Sequence, residues 1–305
     1  MGIAVIGMDR SGTSLAMRML DAVGVEIGGD ADHLKPHPED NPHGYKELTQ
    51  LIGINRRLLE MIEADPLDIE LGVDVDWRES RFDDLRASAQ ELVKLNFRDE
   101  PWAIKDPRIT LVASFWRSVL PRLEFVICLR DPASVIRSQE RRESNYEDRE
   151  RLMRKWLRYT ISSFAATAGA RRLVVNFDDA VEQPRAAAVN YARFLDLTEP
   201  SDQRLDDIER LIDPELIDRQ SKSAAREPIA LPPEVDAIYE LLRSAVNDAS
   251  ALGRATSIAA KLEYALIDRM GAEWRLAEVV GGYESSKSWR ITAPLRSIAA
   301  RFRRN

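Results

Sequence analysis

A single cysteine in 305 residues, Cys128, excludes an intrachain disulfide and with it the stapled frameworks of small secreted domains. A reducing, cytoplasmic setting is expected. Cys128 sits in Phe125-Val126-Ile127-Cys128-Leu129, where it reads as a small buried hydrophobe rather than a nucleophile. No apolar run approaches the ~20 residues that span a bilayer. The N-terminal stretch does not read as a signal peptide either: it has no basic leader, and Asp9 and Arg10 interrupt its apolar residues. No His/Cys/carboxylate cluster stands at ligand spacing, so no metal is expected. Basic residues are outnumbered, 44 against 51 acidic, and the net charge of −7 argues against general nucleic-acid binding. One region lacks acid altogether. Lys287, Arg290, Arg296, Arg301, Arg303 and Arg304 face no Asp or Glu between Lys287 and Asn305.

What is present is an alternation. Ile3 to Ile6, Phe125 to Leu129 and Leu173 to Phe177 are short β-branched apolar runs, and Trp102 to Ile104 is a weaker fourth. Helical spacing of apolar residues marks Ser14–Val23, Phe82–Leu95, Thr110–Val119, Asp148–Ala168 and Pro184–Phe194. Strands separated by helices imply right-handed crossovers, and hence an α/β fold with a central parallel sheet and helices on both faces. Asp30 to Gly44, rich in Pro, His, Asp and Gly, reads as an ordered loop over the sheet edge. After Leu231-Pro232-Pro233 the strand signals stop, and Glu234 to about Val280 is helical in pattern until Gly281-Gly282. The expected division is a nucleotide-binding domain over 1–245 and a helical extension with a basic tail over 246–305.

Gly7-Met8-Asp9-Arg10-Ser11-Gly12-Thr13-Ser14 joins the first strand to the first helix. Glycines at both ends let the backbone turn and present N–H groups to an anion, and the helix N-terminus adds its own. An ATP loop places lysine directly after the second glycine. Here Thr13 stands there, and Arg10 supplies a cation earlier, as suits a donor without a γ-phosphate. The third strand is followed by Arg130-Asp131-Pro132 and, two helical turns on, by Ser138. An arginine at a strand's C-terminal end lies at the ligand rim of a parallel sheet, where a guanidinium and a hydroxyl can hold one phosphate.

In these motifs the chain resembles the sulfotransferases that use 3′-phosphoadenosine 5′-phosphosulfate (PAPS), over roughly residues 1 to 245. Arg10 to Ser14 is similar to their 5′-phosphosulfate loop, and Arg130 with Ser138 to their 3′-phosphate motif. Val175-Asn176-Phe177-Asp178-Asp179-Ala180, Trp102 to Arg108 and Asn41-Pro42-His43-Gly44-Tyr45-Lys46-Glu47 resemble further family elements. Arginine rather than lysine at position 10 favours the bacterial, carbohydrate-type branch. No late Arg-Lys-Gly element is present, so the resemblance leaves the adenine contacts unassigned.

The resemblance implies a P-loop-like three-layer fold and metal-independent, in-line sulfuryl transfer from PAPS to a hydroxyl or amine. It assigns the donor to Arg10, Ser11, Gly12, Thr13, Ser14, Arg130 and Ser138. It assigns catalysis to Glu47 as base, with His43 as runner-up, and to Lys105 and Arg10. Tyr45, Asp106 and Arg108 fall on the acceptor side. His33 and His37 read as solvated loop residues. The tail around Ser288-Trp289-Arg290-Ile291-Thr292-Ala293-Pro294-Leu295-Arg296 resembles one found on polysaccharide-assembly proteins, so the expected acceptor is a glycan, a glycolipid precursor or a small molecule. As a basic amphipathic end it can lie on the inner face of an anionic membrane, contact an assembly partner or pair subunits. The competing functions are a P-loop small-molecule kinase and a non-catalytic nucleotide-binding scaffold.

Overall fold

The computed structural model describes residues 1–29, 32–36, 44–64, 75–142, 149–212, 229, 231–246 and 248–267. Four parallel strands form its sheet: β1 (Gly2–Ile6), β2 (Trp102–Lys105), β3 (Leu123–Leu129) and β4 (Arg172–Asn176), in spatial order β2-β1-β3-β4. The helices are α1 (Thr13–Ala22), α2 (Thr49–Met61), α3 (Asp83–Asn96), α4 (Ala113–Val119), α5 (Pro132–Arg142), α6 (Arg149–Ala165), α7 (Phe177–Glu182), α8 (Pro184–Phe194), α9 (Asp202–Leu211), α10 (Pro233–Arg243) and α11 (Ala249–Ile267). The α/β class with a parallel sheet is therefore as the sequence implies.

The strands are apolar without alternation because both of their faces are covered. Ala4, Ile6, Ile104, Phe125, Ile127 and Leu129 join one core with Leu51 and Leu58 of α2, Phe115 and Trp116 of α4 and Trp156 of α6. Ile3, Val5, Ala103, Val126 and Cys128 join the other, with Leu15, Met19 and Leu20 of α1 and with α8 and α9. Successive side chains of a strand point to opposite faces, so each strand supplies two helical layers at once.

The weak second strand is a full edge strand, paired with β1 from Gly2↔Trp102 to Val5↔Lys105. The run Leu173–Phe177 ends one residue earlier than its hydrophobicity suggests. Asn176 Oδ1 accepts from the backbone N–H groups of Asp178 and Asp179 and starts α7, so Phe177 is helical. The C-terminal helical stretch resolves into α10 and α11. Ala255, Ala259 and Leu262 of α11 are buried in the same core as Leu152 and Trp156 of α6, so the region after residue 245 contributes to the main core. The tail from residue 268, with Gly281-Gly282, lies outside the described residues. No helix among those described is long and apolar enough to cross a membrane.

Candidate active site

Two motifs 128 residues apart meet at the C-terminal ends of β1 and β3. The loop after β1 turns on two glycines that tolerate no side chain. Gly7 has φ 134°, and a Cβ there would stand 2.5 Å from the Cys128 carbonyl oxygen; Gly12 has φ 92°, and its Cβ would stand 2.3 Å from the Phe177 ring. Gly12 also occupies the N-cap of α1, leaving the helix N–H groups open toward the loop. The loop is anchored below by the Gly7 N–H, which donates to Thr110 Oγ1 at 3.0 Å.

Arg10 adopts φ 71°, a left-handed conformation that costs a non-glycine residue on the order of 1–2 kcal/mol. Two contacts hold it there: Arg10 Nε donates to Ser138 Oγ at 2.9 Å, and Arg130 Nη1 donates to the Arg10 carbonyl at 2.9 Å. Arg130 is buried, with its guanidinium 4.1 Å above the Phe177 ring, and its own carbonyl accepts from Trp156 Nε1 at 3.1 Å. Asp131 caps α5 through the Ser134 N–H at 2.7 Å, which fixes the turn that aims Arg130 and Ser138 at Arg10. Ser11 and Thr13 are buried in the loop beside them.

The other end of the site lies under β2. Lys105 is 1% exposed, and its Nζ reaches Glu47 Oε1 at 2.6 Å and Ser14 Oγ at 3.3 Å. Ser14 in turn donates to the Tyr45 carbonyl at 3.3 Å. Burial pushes the Glu47 carboxyl above the ordinary carboxylate value; Asp106 adds to this, and Lys105 and Arg108 oppose it. The segment arrives at Glu47 through two left-handed residues, Gly44 (φ 82°) and Lys46 (φ 55°), and the Glu47 carbonyl is tied to the Leu34 N–H at 2.7 Å. A cluster of Arg10, Arg130 and Ser138 thus sits at one end of the loop, and a carboxylate–ammonium pair at Ser14 at the other.

Most of the residues singled out from the sequence converge here. Asp106 differs in kind: it is fully buried, with Oδ1 accepting from Arg108 N and Nη1 and Oδ2 from Asn55 Nδ2, so it positions Arg108 instead of facing a ligand. His43 and His37 lie outside the described residues. His33 is buried, its Nε2–H donating to the Ile27 carbonyl at 2.9 Å, and is not the solvated residue expected.

Sequence reasoning passed over Asp9. Lys155 Nζ of α6 pairs with its carboxylate at 3.1 Å and neutralises it, and Gln139 Nε2 of α5 donates to it at 2.5 Å. The misplaced charge was itself the signal. Cys128 is buried, and its thiol is pushed up to about 12 by burial, which leaves it inert. Among the described residues no group of three or more His, Cys, Asp or Glu is placed to hold a metal ion.

Comparison with known proteins bears on this geometry. No curated protein matches the chain. Among solved structures, the sulfotransferase domain of the Synechococcus PCC 7002 olefin synthase aligns at 19% identity and a TM-score of 0.39, covering 85% of this chain and 93% of its own, a likeness too distant to carry a functional assignment. The sequence model of the sulfotransferase family, by contrast, matches residues 2–201, a span that holds the loop, Glu47, Lys105, Arg130 and Ser138. The chain belongs to the sulfotransferase family.

Proposed function

We propose that the protein moves a sulfuryl group from PAPS to a hydroxyl or amine of an acceptor, without a metal. The observation that carries this reading is the Arg10–Ser138 contact at 2.9 Å, backed by Arg130. It joins a loop suited to a phosphosulfate with an arginine–serine pair suited to a second phosphate, which is what a nucleotide bearing phosphate at both 3′ and 5′ positions needs. A nucleoside triphosphate would leave the second cluster without a partner.

In this reading the α1 N-terminus, Arg10, Thr13 and Ser14 stabilise the charge that builds on the bridging oxygen as the S–O bond to the donor breaks. Glu47 takes the proton of the acceptor as the new S–O bond forms, and adenosine 3′,5′-bisphosphate leaves with the bridging electrons. Lys105, 2.6 Å from Glu47 and 3.3 Å from Ser14, opposes the upward push that burial gives the Glu47 carboxyl and adds positive charge beside the transferring group. Catalysis then rests on positioning and electrostatics. Tyr45 and Arg108 line the acceptor side. His43, the alternative base, lies outside the described residues.

A thermal-shift comparison tests the donor. Adenosine 3′,5′-bisphosphate at about 100 times its Kd should stabilise the protein by about 2.7 kcal/mol, and Arg130→Ala or Ser138→Ala should remove most of that. Stabilisation by ATP with Mg²⁺ and none by the bisphosphate would overturn the reading in favour of a kinase.

For the tail we propose contact with an anionic membrane or glycan-assembly surface, which would bring the protein to a glycan or glycolipid acceptor. Six cations without an acid, interleaved with Trp289, Ile291, Leu295, Ile298 and Phe302, support it. Co-sedimentation with phosphatidylglycerol vesicles should be lost on deletion of residues 287–305. Equal sedimentation of the two chains would discard the proposal.

A further inference from the structure

Behind Arg108 runs a buried polar chain. Trp116 Nε1 donates to Asn55 Oδ1 at 2.8 Å, and Asn55 Nδ2 donates to Asp106 Oδ2 at 3.0 Å. Asp106 Oδ1 then accepts from Arg108 N at 3.0 Å and from Arg108 Nη1 at 2.9 Å. An indole only donates and a carboxylate only accepts, so the Asn55 amide has one permitted orientation, set from both sides. Asn55 and Asp106 are both 0% exposed, so bulk solvent does not compete for these hydrogen bonds. Such a network adds little stability over well-packed apolar groups; what it fixes is geometry.

The geometry it fixes is that of Arg108. This side chain is 26% exposed, while Glu47, Lys105 and Asp106 around it are buried. A guanidinium has five N–H donors, and among the described residues Arg108 makes its side-chain hydrogen bond to Asp106 alone, through Nη1. The remaining donors belong to a planar fork held rigidly from behind and within electrostatic reach of Glu47. A preorganised, partly open guanidinium is suited to a carboxylate, phosphate or sulfate.

We infer that Arg108 is an anion-binding arm on the acceptor side, that Asn55 and Asp106 are its positioning residues, and that the acceptor therefore carries an anionic group near the atom that receives the sulfuryl group. The inference rests on the sulfuryl-transfer reading above.

The probe is inorganic sulfate, titrated by calorimetry into the full chain saturated with PAPS. The donor then fills the sulfuryl position, and free sulfate reports on the acceptor side. The wild type should bind it saturably. Arg108→Ala should weaken binding at least about tenfold, and Arg108→Lys, which keeps the charge without the fork, by less. Asn55→Leu should weaken it roughly three- to tenfold, with no further effect in the Arg108→Ala background. Thermal melts check that each variant is folded, and Trp116→Phe, which removes the outermost N–H of the chain together with part of a buried ring, replaces Asn55→Leu if that variant is not. Absence of sulfate binding in the wild type, displacement of sulfate by PAPS, or an Asn55→Leu effect that persists without Arg108 overturns the inference. Failure of the wild type to bind PAPS sinks the donor reading instead; sulfate titrated into the free chain then still decides the Arg108–Asn55 coupling.

Discussion

Glu47 and Lys105 show how single residues divide the work. Burial raises the Glu47 carboxyl, and the adjacent ammonium is the strongest influence pulling it back. A base acts when ionised, so labelled-PAPS turnover should rise with pH through the Glu47 pKa, and its acid limb should lie above the usual carboxylate value of 4.5. Lys105→Met removes the opposing charge and should move that limb to higher pH. Glu47→Gln should abolish it together with about 10²-fold of the rate or more. Stability runs the other way. With its folded pKa above the unfolded one, Glu47 contributes fully below the unfolded value and loses that contribution as pH rises through the folded value. Lys105→Met should therefore cost about 3–5 kcal/mol at neutral pH and less in mild acid, where Glu47 takes a proton. An acid limb that Lys105→Met does not move would remove Glu47 from the role of base. Both residues are legible from the sequence because their motifs are contiguous. Asn55 is not: a buried amide in mid-helix has no local signature, and its partners Trp116 and Asp106 are 61 and 51 residues away.

Among the elements, those built on hydrophobic period were legible and those held by other means were not. β1, β3 and α8 follow their apolar runs almost to the residue, because covering both faces of a parallel sheet demands such runs. α2 escaped notice because Gly53 and Asn55 break its stripe of Leu51, Ile52, Ile54, Leu58 and Leu59; the break is where the polar chain behind Arg108 enters the core. α9 (DQRLDDIERL) carries only Leu205, Ile208 and Leu211 at helical spacing in an otherwise charged run, and it buries only Ile208 fully. Outside, Arg185 bridges from α8 to Asp202, Asp206 and Glu209 of α9, all of them well exposed. Magnitudes decide which of the two holds the helix. Exposed pairs contribute about 0–1 kcal/mol each and are screened by salt, whereas truncating a buried isoleucine costs about 2–5 kcal/mol. Ile208→Ala should accordingly lower stability in urea by about 2–4 kcal/mol, and Arg185→Ala by about 1 kcal/mol or less, with that smaller loss vanishing at high salt. The reverse order would make α9 an electrostatic rather than a packed element.

At the scale of the whole molecule, the division expected at residue 245 follows the end of the strand signals at Leu231-Pro232-Pro233, and the core continues past it. α11 lays Ala255, Ala259 and Leu262, one helical turn apart, into the core that holds Leu152 and Trp156 of α6. α10 reaches the C-terminal end of β4: Asn176 Nδ2 donates to Tyr239 Oη at 3.0 Å, Tyr239 stands edge-on to Trp156, and Arg243 Nη2 pairs with Asp179 at 2.9 Å. Trp156 is also the residue that donates to the Arg130 carbonyl. The C-terminal helices therefore back the wall on which the Arg130 turn is built, a relation that no motif spacing reveals because it runs through packing alone. A chain ending at Ala245 strips α11 from α6 and exposes apolar surface that the intact chain buries. It should melt lower by more than about 5 °C and unfold in urea with a smaller m-value, since less surface remains to be uncovered. It should also bind adenosine 3′,5′-bisphosphate more weakly, as α6, which carries Trp156, loses the helix that covers it and the Arg130 turn loosens. A chain ending at Ile267 keeps α11 and should melt above the chain ending at Ala245. Equal melting of the 245 and 267 chains would mean that α11 contributes nothing to the core, and that the boundary read from the sequence is the physical one.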